Sequence, residues 1–488
     1  MEKKEWYFLL FLVSLSLILR FIYPALTVFD HETVSFFDIA KSISFSNPIL
    51  FGYHTFETFG PAIYYIYYFL SELSSNYLIH VYFIAFFNVL AVVLSFFFVR
   101  KFFNFKAAVV SSLLFATSIW HLYYSRSVWN PSYIPFLSVL FFYSFFSVVC
   151  KKEYKFTLLS FLSFGLMLHF HISALLLLPF FLFYLRFFRD RNFWKYLILG
   201  VSLLILTLLP IIFYSFMSGE NVIWKSLSYG FVQTKSGFIS NAFESIVFPF
   251  MIITPFSSNY FNGTEVFYGS IFNFFIYLSV LILSILFIFG LVFIIKKYKD
   301  KKYFLLLFSL LLVIFLYIIR SKSVSPHYFL ILYPINFVIA GVGFSYLIDK
   351  YKFKNILYAL FAFVLLVNII LFSYHLYILY NNGGTNGAYG ILYKDKLDAA
   401  KFIIDLNDRN VIFYKHGNLG MLSIFNDLNY DVDVKYINNY EDLLKSNGVI
   451  ILDNYSRVGY SGLNSEEREF FSKHEIKNFH GKLYIMKI

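Results

Sequence analysis

Cysteine is almost missing from this chain. Cys150 stands alone among 488 residues, which excludes an internal disulfide framework and any cysteine-rich metal site. Charge is scarce as well: 14% of residues are charged, and only 28 of them are acidic. The formal net charge of +12 invites a nucleic-acid reading, but the cations sit in short clusters between long apolar runs, so they report topology and no nucleic-acid partner is expected. A soluble globule is excluded by what replaces the charge. The composition is 59% hydrophobic, with mean hydropathy +0.68, 68 Phe and 41 Tyr. Runs of about 18 or more apolar residues recur along the chain, the mark of membrane-spanning helices.

The N-terminal "MEKKEWYFLLFLVSLSLILRFIYPAL" starts basic like a signal peptide. Its apolar stretch is long and no small-residue cleavage pattern follows, so it reads as a retained anchor. Hydropathy places about eleven spans, near 7–27, 77–99, 107–120, 132–150, 156–169, 172–187, 196–217, 270–295, 303–319, 329–348 and 356–377. Every second connection is basic: 100–106, 151–155, 186–195, 296–302 and 349–354, together with "MEKK" at the start. Lys and Arg resist translocation, so this side is expected to be cytoplasmic, as in the plasma membrane of a prokaryote.

The expected fold is a polytopic all-α membrane protein with a small C-terminal extracytoplasmic α/β domain. Residues 1–378 form the membrane domain, with large outer loops at 28–76 and 218–269, and residues 379–488 form the outer domain. The first loop contains "GPAIYYIYYFL" (60–70), too short to span and expected to lie in the interface as a helix. The runs 156–169 and 172–187 are broken by "HFHIS", which suits a tight hairpin. Beyond "NNGGTNGAYG" (381–390) the composition becomes ordinary. There "KLDAAKFIIDLN" reads as a helix, "NVIFY" and "GVIILDN" as buried strands, and "NSEEREFFSKH" as a helix capped by Asn464 and Glu467. No internal repeat is visible, which disfavours an inverted-repeat transporter.

Four polar constellations fall on the expected outer side. "LTVFDHETVSFFD" (26–38) crowds Asp30, Glu32 and Asp38 at the mouth of the first span, and the same loop supplies His54 and Glu57 in "FGYHTFETFGP". Such acids merely end a span in many chains. Here they are outward, where acids do little for topology, and a carboxylate at the boundary can act as a base towards a hydroxyl or hold a divalent cation. In "YYSRSVWNPSYIPF" (123–136), Asn130 and Pro131 suit a helix start and the aromatic residues suit an interfacial belt. That leaves Arg126, a guanidinium fork matched to phosphate on the side where cations are rare. "GLMLHFHISALLLLP" (165–179) carries His169 and His171, whose spacing does not share a helix face. "IIRSKSVSPHYFLILYP" (318–334) adds outward Arg320 and Lys322, then His327 and Tyr328; snorkelling at a span end is the bland account.

The order of these blocks resembles GT-C membrane glycosyltransferases, in particular the dolichyl-phosphate-mannose protein mannosyltransferase-like branch (glycosyltransferase family 39-like). The resemblance covers roughly residues 7–378 and rests most on "WNPS…P" and "H-x-SALLLLP". It implies a polyprenyl (dolichyl) phosphate-linked sugar as donor and a protein, lipid or glycan acceptor on the outer side. It further implies inverting displacement with Asp30 as general base and Glu32 or Glu57 as a second acid. Arg126, Arg320, His171, His327 and Tyr328 would hold the donor phosphate, and His54 and Glu57 would face the acceptor. Asp30 and Glu57 would be the ligands if a divalent cation (Mg or Mn) is used; no organic cofactor is implied. Relatives often have adjacent Asp-Glu where this chain has Asp30-His31-Glu32. The competing reading is a transporter or flippase of a lipid-linked or anionic substrate, which predicts ionisable residues at the bilayer midplane and broken helices. Two sequons, at Asn262 and Asn454, fall on the expected outer side.

Overall fold

The computed structural model describes the chain except residues 1, 30, 45–47, 51, 55–56, 220–237, 256–269, 320–324, 385–390, 415–419, 454–462, 481–482 and 488. Side chains of 31, 32, 34, 35, 38, 52–54, 57–59, 238–241, 270, 271 and 453 are likewise not described. Helix α1 (Lys3–Phe21) leads to α2 (His31–Lys41), a hairpin of β1 (Gly52–His54) and β2 (Glu57–Phe59), and α3 (Ala62–Leu73). Then come α4 (Leu78–Phe102), α5 (Phe105–Thr117), α6 (Ile119–Tyr124), α7 (Ile134–Lys151) and α8 (Phe156–Phe170). A 3-10 helix (Ile172–Phe187) precedes α9 (Arg191–Ser218), α10 (Phe238–Met251), α11 (Ser270–Lys296) and α12 (Lys301–Ile319). A second 3-10 turn (Pro326–Leu332) feeds α13 (Tyr333–Lys350), followed by α14 (Lys354–Asn382).

Seven of the described helical segments are long and apolar enough to cross a membrane, and the protein is an integral membrane protein. Helix α1 carries Lys3, Lys4, Glu5 and Arg20 and is less apolar. The run 172–187 is short for an α-helix, at about 24 Å for its 16 residues. As a 3-10 helix, rising about 2.0 Å per residue, it reaches about 32 Å, the thickness of the hydrocarbon core. Its start is fixed by His171, whose ring accepts from the Ser173 backbone N–H at 3.1 Å. Helix α3 lies as an amphipathic piece, burying Ile63, Tyr64, Tyr67 and Leu70 at helical spacing.

At the core is α13, buried along almost its whole length. A Cβ on Gly343 would stand 2.1 Å from the Leu286 carbonyl oxygen, and one on Gly290 would stand 2.1 Å from that of Ile339. Backbones therefore touch between α11 and α13, as small residues permit in a membrane. Hydroxyls add cross-helix bonds: Ser111 donates to the Phe337 carbonyl (3.0 Å) and Ser138 to that of Ile331 (2.6 Å). At one end, ion pairs join Arg100 to Glu5 (2.6 Å), Lys101 to Glu153 (2.5 Å), and Lys106 to Asp349. The basic connections thus gather on one face of the bundle.

The C-terminal region comprises α15 (Tyr393–Asp405), β3 (Asn410–Tyr414), α16 (Gly420–Asp427), β4 (Asp433–Ile437), α17 (Tyr440–Leu444), β5 (Val449–Asp453), α18 (Ser465–Ser472), β6 (Ile476–Phe479) and β7 (Leu483–Lys487). The sheet order is β4-β3-β5-β7-β6, parallel through the first three strands and antiparallel after. The capping box at Asn464 and Glu467 is present, with both reciprocal bonds at 2.8 Å.

Candidate functional site

The chain leaving α1 is fixed from several directions before it reaches position 30. Arg126, 1% exposed, donates from Nη1 to the Ile22 carbonyl (2.6 Å) and the Arg20 carbonyl (3.2 Å), and from Nη2 to that of Tyr23 (2.7 Å). Its guanidinium also lies over Phe372. Thr27 Oγ1 donates to the Arg126 carbonyl (2.5 Å), and Tyr77 Oη donates to that of Val28 (3.0 Å). From the C-terminal region, the Tyr393 N–H reaches the Thr27 carbonyl (3.0 Å) and the Lys396 ammonium bonds to that of Phe29. Past residue 30, Thr33 Oγ1 contacts the Val128 carbonyl at 3.4 Å. Residues 22–29 are therefore held by three separate parts of the chain.

Beneath this segment lies a second buried guanidinium. Arg20 donates from Nη2 to His121 Nδ1 (2.8 Å) and from Nη1 to the Ala116 carbonyl (3.2 Å). A guanidinium only donates, so His121 Nδ1 is an acceptor and its Nε2–H is the donor to Asn88 Oδ1 at 2.9 Å. Asn88 passes the chain on, donating to the Ser132 carbonyl (3.0 Å). The network ties α1, α4 and α6 below the first loop.

On the other side of 126–129 an aromatic cluster forms. The Trp129 ring lies 5.0 Å from His327, His327 lies 5.4 Å from His171, and His171 lies 5.1 Å from Tyr328. Three blocks singled out in the sequence thus meet: "SVWNPS", "HFHIS" and "SPHYF". His171 is buried with its Nδ1 on the Ser173 hydroxyl (2.7 Å). His169 faces away, its Nε2–H donating to the Thr207 carbonyl (2.7 Å) while its ring packs on Gly60.

His54 and Glu57 are placed directly opposite each other in the β1–β2 hairpin. Asp30, Arg320 and Lys322 lie outside the described residues, as do both sequons and the Glu32, His54 and Glu57 side chains. Among the described residues, no group of three or more His, Cys, Asp or Glu is placed to hold a metal.

Sequence reasoning missed Arg20, His121, Tyr77 and Lys396. Arg20 carried a signal, a lone cation late in an apolar run. Lys396 carried none, since its partner Phe29 is remote in the chain. Next to Lys396, Asp395 accepts from His480 at 3.0 Å. Burial pushes its carboxyl above the ordinary range, although His480 and Lys394 draw it back.

No protein-family model matches the sequence, and no curated protein matches it. The fold is similar over its full length to ArnT from Cupriavidus metallidurans bound to undecaprenyl phosphate. That likeness has a TM-score of 0.61 at 10% identity, covering 99% of this chain and 98% of that one. The apo state of the same protein gives 0.59 with the same coverage. The chain has the GT-C fold. The Archaeoglobus fulgidus oligosaccharyltransferase in the apo form shares the GT-C fold at TM-score 0.50 and 13% identity, over 92% of this chain and 70% of that one. In this chain the GT-C fold brings the segment before residue 30, the 126–129 connection and the His171–His327–Tyr328 cluster to one end of the bundle.

Proposed function

We propose that the protein is an integral membrane glycosyltransferase that moves a sugar from a polyprenyl-phosphate donor to an acceptor at the end of the bundle opposite the basic loops. By the positive-inside rule that end is extracytoplasmic and the N-terminus is cytoplasmic. Residues 379–488 are the outer α/β domain. The observation that carries the reading is the 126–129 segment, which touches the loop before Asp30 on one side and the His171–His327–Tyr328 cluster on the other. The full-length likeness to ArnT, whose structure holds undecaprenyl phosphate, supports the donor class.

In the proposed reaction Asp30 takes the proton of the acceptor hydroxyl while its oxygen attacks the anomeric carbon. The bond from that carbon to the phosphate oxygen breaks, polyprenyl phosphate leaves with the electron pair, and configuration inverts. Glu32 or Glu57 is the second acid, with His54 beside Glu57 towards the acceptor. His171, His327 and Tyr328, with Arg320, take the phosphate. Arg126 is proposed as a positioning residue: its fork is engaged by the carbonyls that end α1, so it fixes where Asp30 starts. Asp30 and Glu57 would offer the oxygen donors that Mg or Mn takes.

The test offers a panel of polyprenyl-phosphate sugars to the purified protein in lipid, with and without divalent cation. Release of polyprenyl phosphate with sugar transferred to an acceptor supports the reading. Transport of the intact lipid-linked sugar between leaflets, with no bond broken, would replace it with the flippase.

A further inference from the structure

A separate cavity of about 310 Å3 opens where the C-terminal region meets the first loop. This volume is at the lower end for small-ligand sites. Its inner wall is aromatic: Phe29, Phe37, Tyr77 and His80 are all 5% exposed or less. Its rim is polar and solvent-facing, with Lys41 at the end of α2, Glu72 in the last turn of α3, Ser75 just after it, and Asn426 on α16. Ser71, Ser423 and Asp427 add further hydrogen-bonding groups between wall and rim.

Three features decide the class of ligand. Among the described lining residues Lys41 is the one cation, against the carboxyls of Glu72 and Asp427, so a phosphate or carboxylate ligand is disfavoured. The rim combines donors (Lys41, Asn426), acceptors (Glu72, Asn426) and the Ser75 hydroxyl above aromatic rings, which suits a ring bearing many hydroxyls and an apolar face. His80 is 2% exposed, its Nε2 lies 3.4 Å from the Ser71 hydroxyl, and among the described residues its Nδ1 has no hydrogen-bond partner, so a buried polar atom on this wall is open to one. Position adds the link to chemistry. Phe29, whose ring forms part of the wall, is joined to Asp30 by a single peptide bond.

We propose that this cavity is a saccharide subsite that holds an uncharged sugar unit of the acceptor beside Asp30, with walls supplied jointly by the first loop and the C-terminal region. This rests on the glycosyltransferase reading above, but the binding itself is measurable without turnover. The acceptor is then a glycan, or a lipid or protein already carrying one, and the C-terminal region selects it.

The experiment uses the full chain in lipid nanodiscs. Saturation-transfer NMR would follow methyl glycosides of glucose, mannose, galactose and N-acetylglucosamine. Wild type is expected to bind at least one of them. Ser75→Trp, which fills the mouth, and Asn426→Ala, which removes a rim amide, should each weaken that binding by about tenfold or more. Both positions are exposed, and thermal melts would confirm that the variants fold. Absence of binding by wild type to every glycoside, or binding that both folded variants retain, would overturn the proposal. Donor turnover without saccharide binding would sink this inference alone. Saccharide binding lost in the variants without donor turnover would uphold the subsite and sink the transferase reading.

Discussion

At the scale of single residues, the first loop is a problem of position. A base must be held within a few tenths of an ångström to act on a bound hydroxyl, and small displacements cost rate. Arg126 holds three carbonyls at the end of α1 with its planar fork, a task a lysine ammonium cannot repeat. Arg126→Lys should therefore lower stability by about 1–3 kcal/mol and reduce kcat more than it weakens donor binding. Calorimetry and a kcat-against-KM comparison check this; loss of donor binding with kcat preserved would make Arg126 a phosphate ligand instead. Lys396 applies the same constraint from the C-terminal side, 2% exposed with its ammonium on the Phe29 carbonyl. Lys396→Met should cut kcat by about 10-fold or more while donor Kd, measured by titration, stays within about threefold.

At the scale of elements, hydropathy located the long helices but passed over the short α2 and α6 and also α10 (Phe238–Met251), which lies inside the stretch expected as the second outer loop. Each of the eleven expected runs coincides with a helical element, because an apolar segment in lipid must satisfy its backbone internally. What hydropathy could not show was the kind of helix. Residues 172–187 adopt 3-10 geometry, a choice invisible in an apolar string with Pro179 inside it. The capping box at Asn464 was legible because it is local. The contact of Gly343 with the Leu286 carbonyl was not legible, because it needs the partner helix. Gly343→Leu should separate α11 from α13 and destabilise the protein by about 1–3 kcal/mol or more; a melt equal to wild type would show the helices free to part.

At the scale of the whole molecule, the candidate site is shared between regions far apart in the chain. The blocks around 129, 171 and 327 could be suspected singly, since each puts polar groups where apolar ones are expected, but their meeting is a product of tertiary packing. The cavity between α2, α4 and α16 was wholly hidden from sequence reasoning. One of its carboxyls also gives that junction a pH dependence. Burial pushes Asp427 up to about 6, with Lys41 opposing. A raised carboxyl binds its proton more tightly folded than unfolded, so its contribution to stability is greatest below the unfolded value and is lost as pH rises through about 6. Asp427→Asn should thus stabilise the protein at pH about 7.5, by up to about 3 kcal/mol, and the gain should vanish near pH 4. Melting curves across that range would detect it, and a gain of equal size at both pH values would refute the assignment.

In the proposed reaction Asp30 is the base of sugar transfer. The most direct measurement is sugar release from polyprenyl-phosphate donors by wild type and Asp30→Asn side by side in lipid, with donor binding measured on both. Wild type should turn the donor over, and the variant should lose about 100-fold or more of that activity with donor still bound. Full activity in a folded Asp30→Asn protein would contradict this role for Asp30 and move the role of base to Glu32 or Glu57.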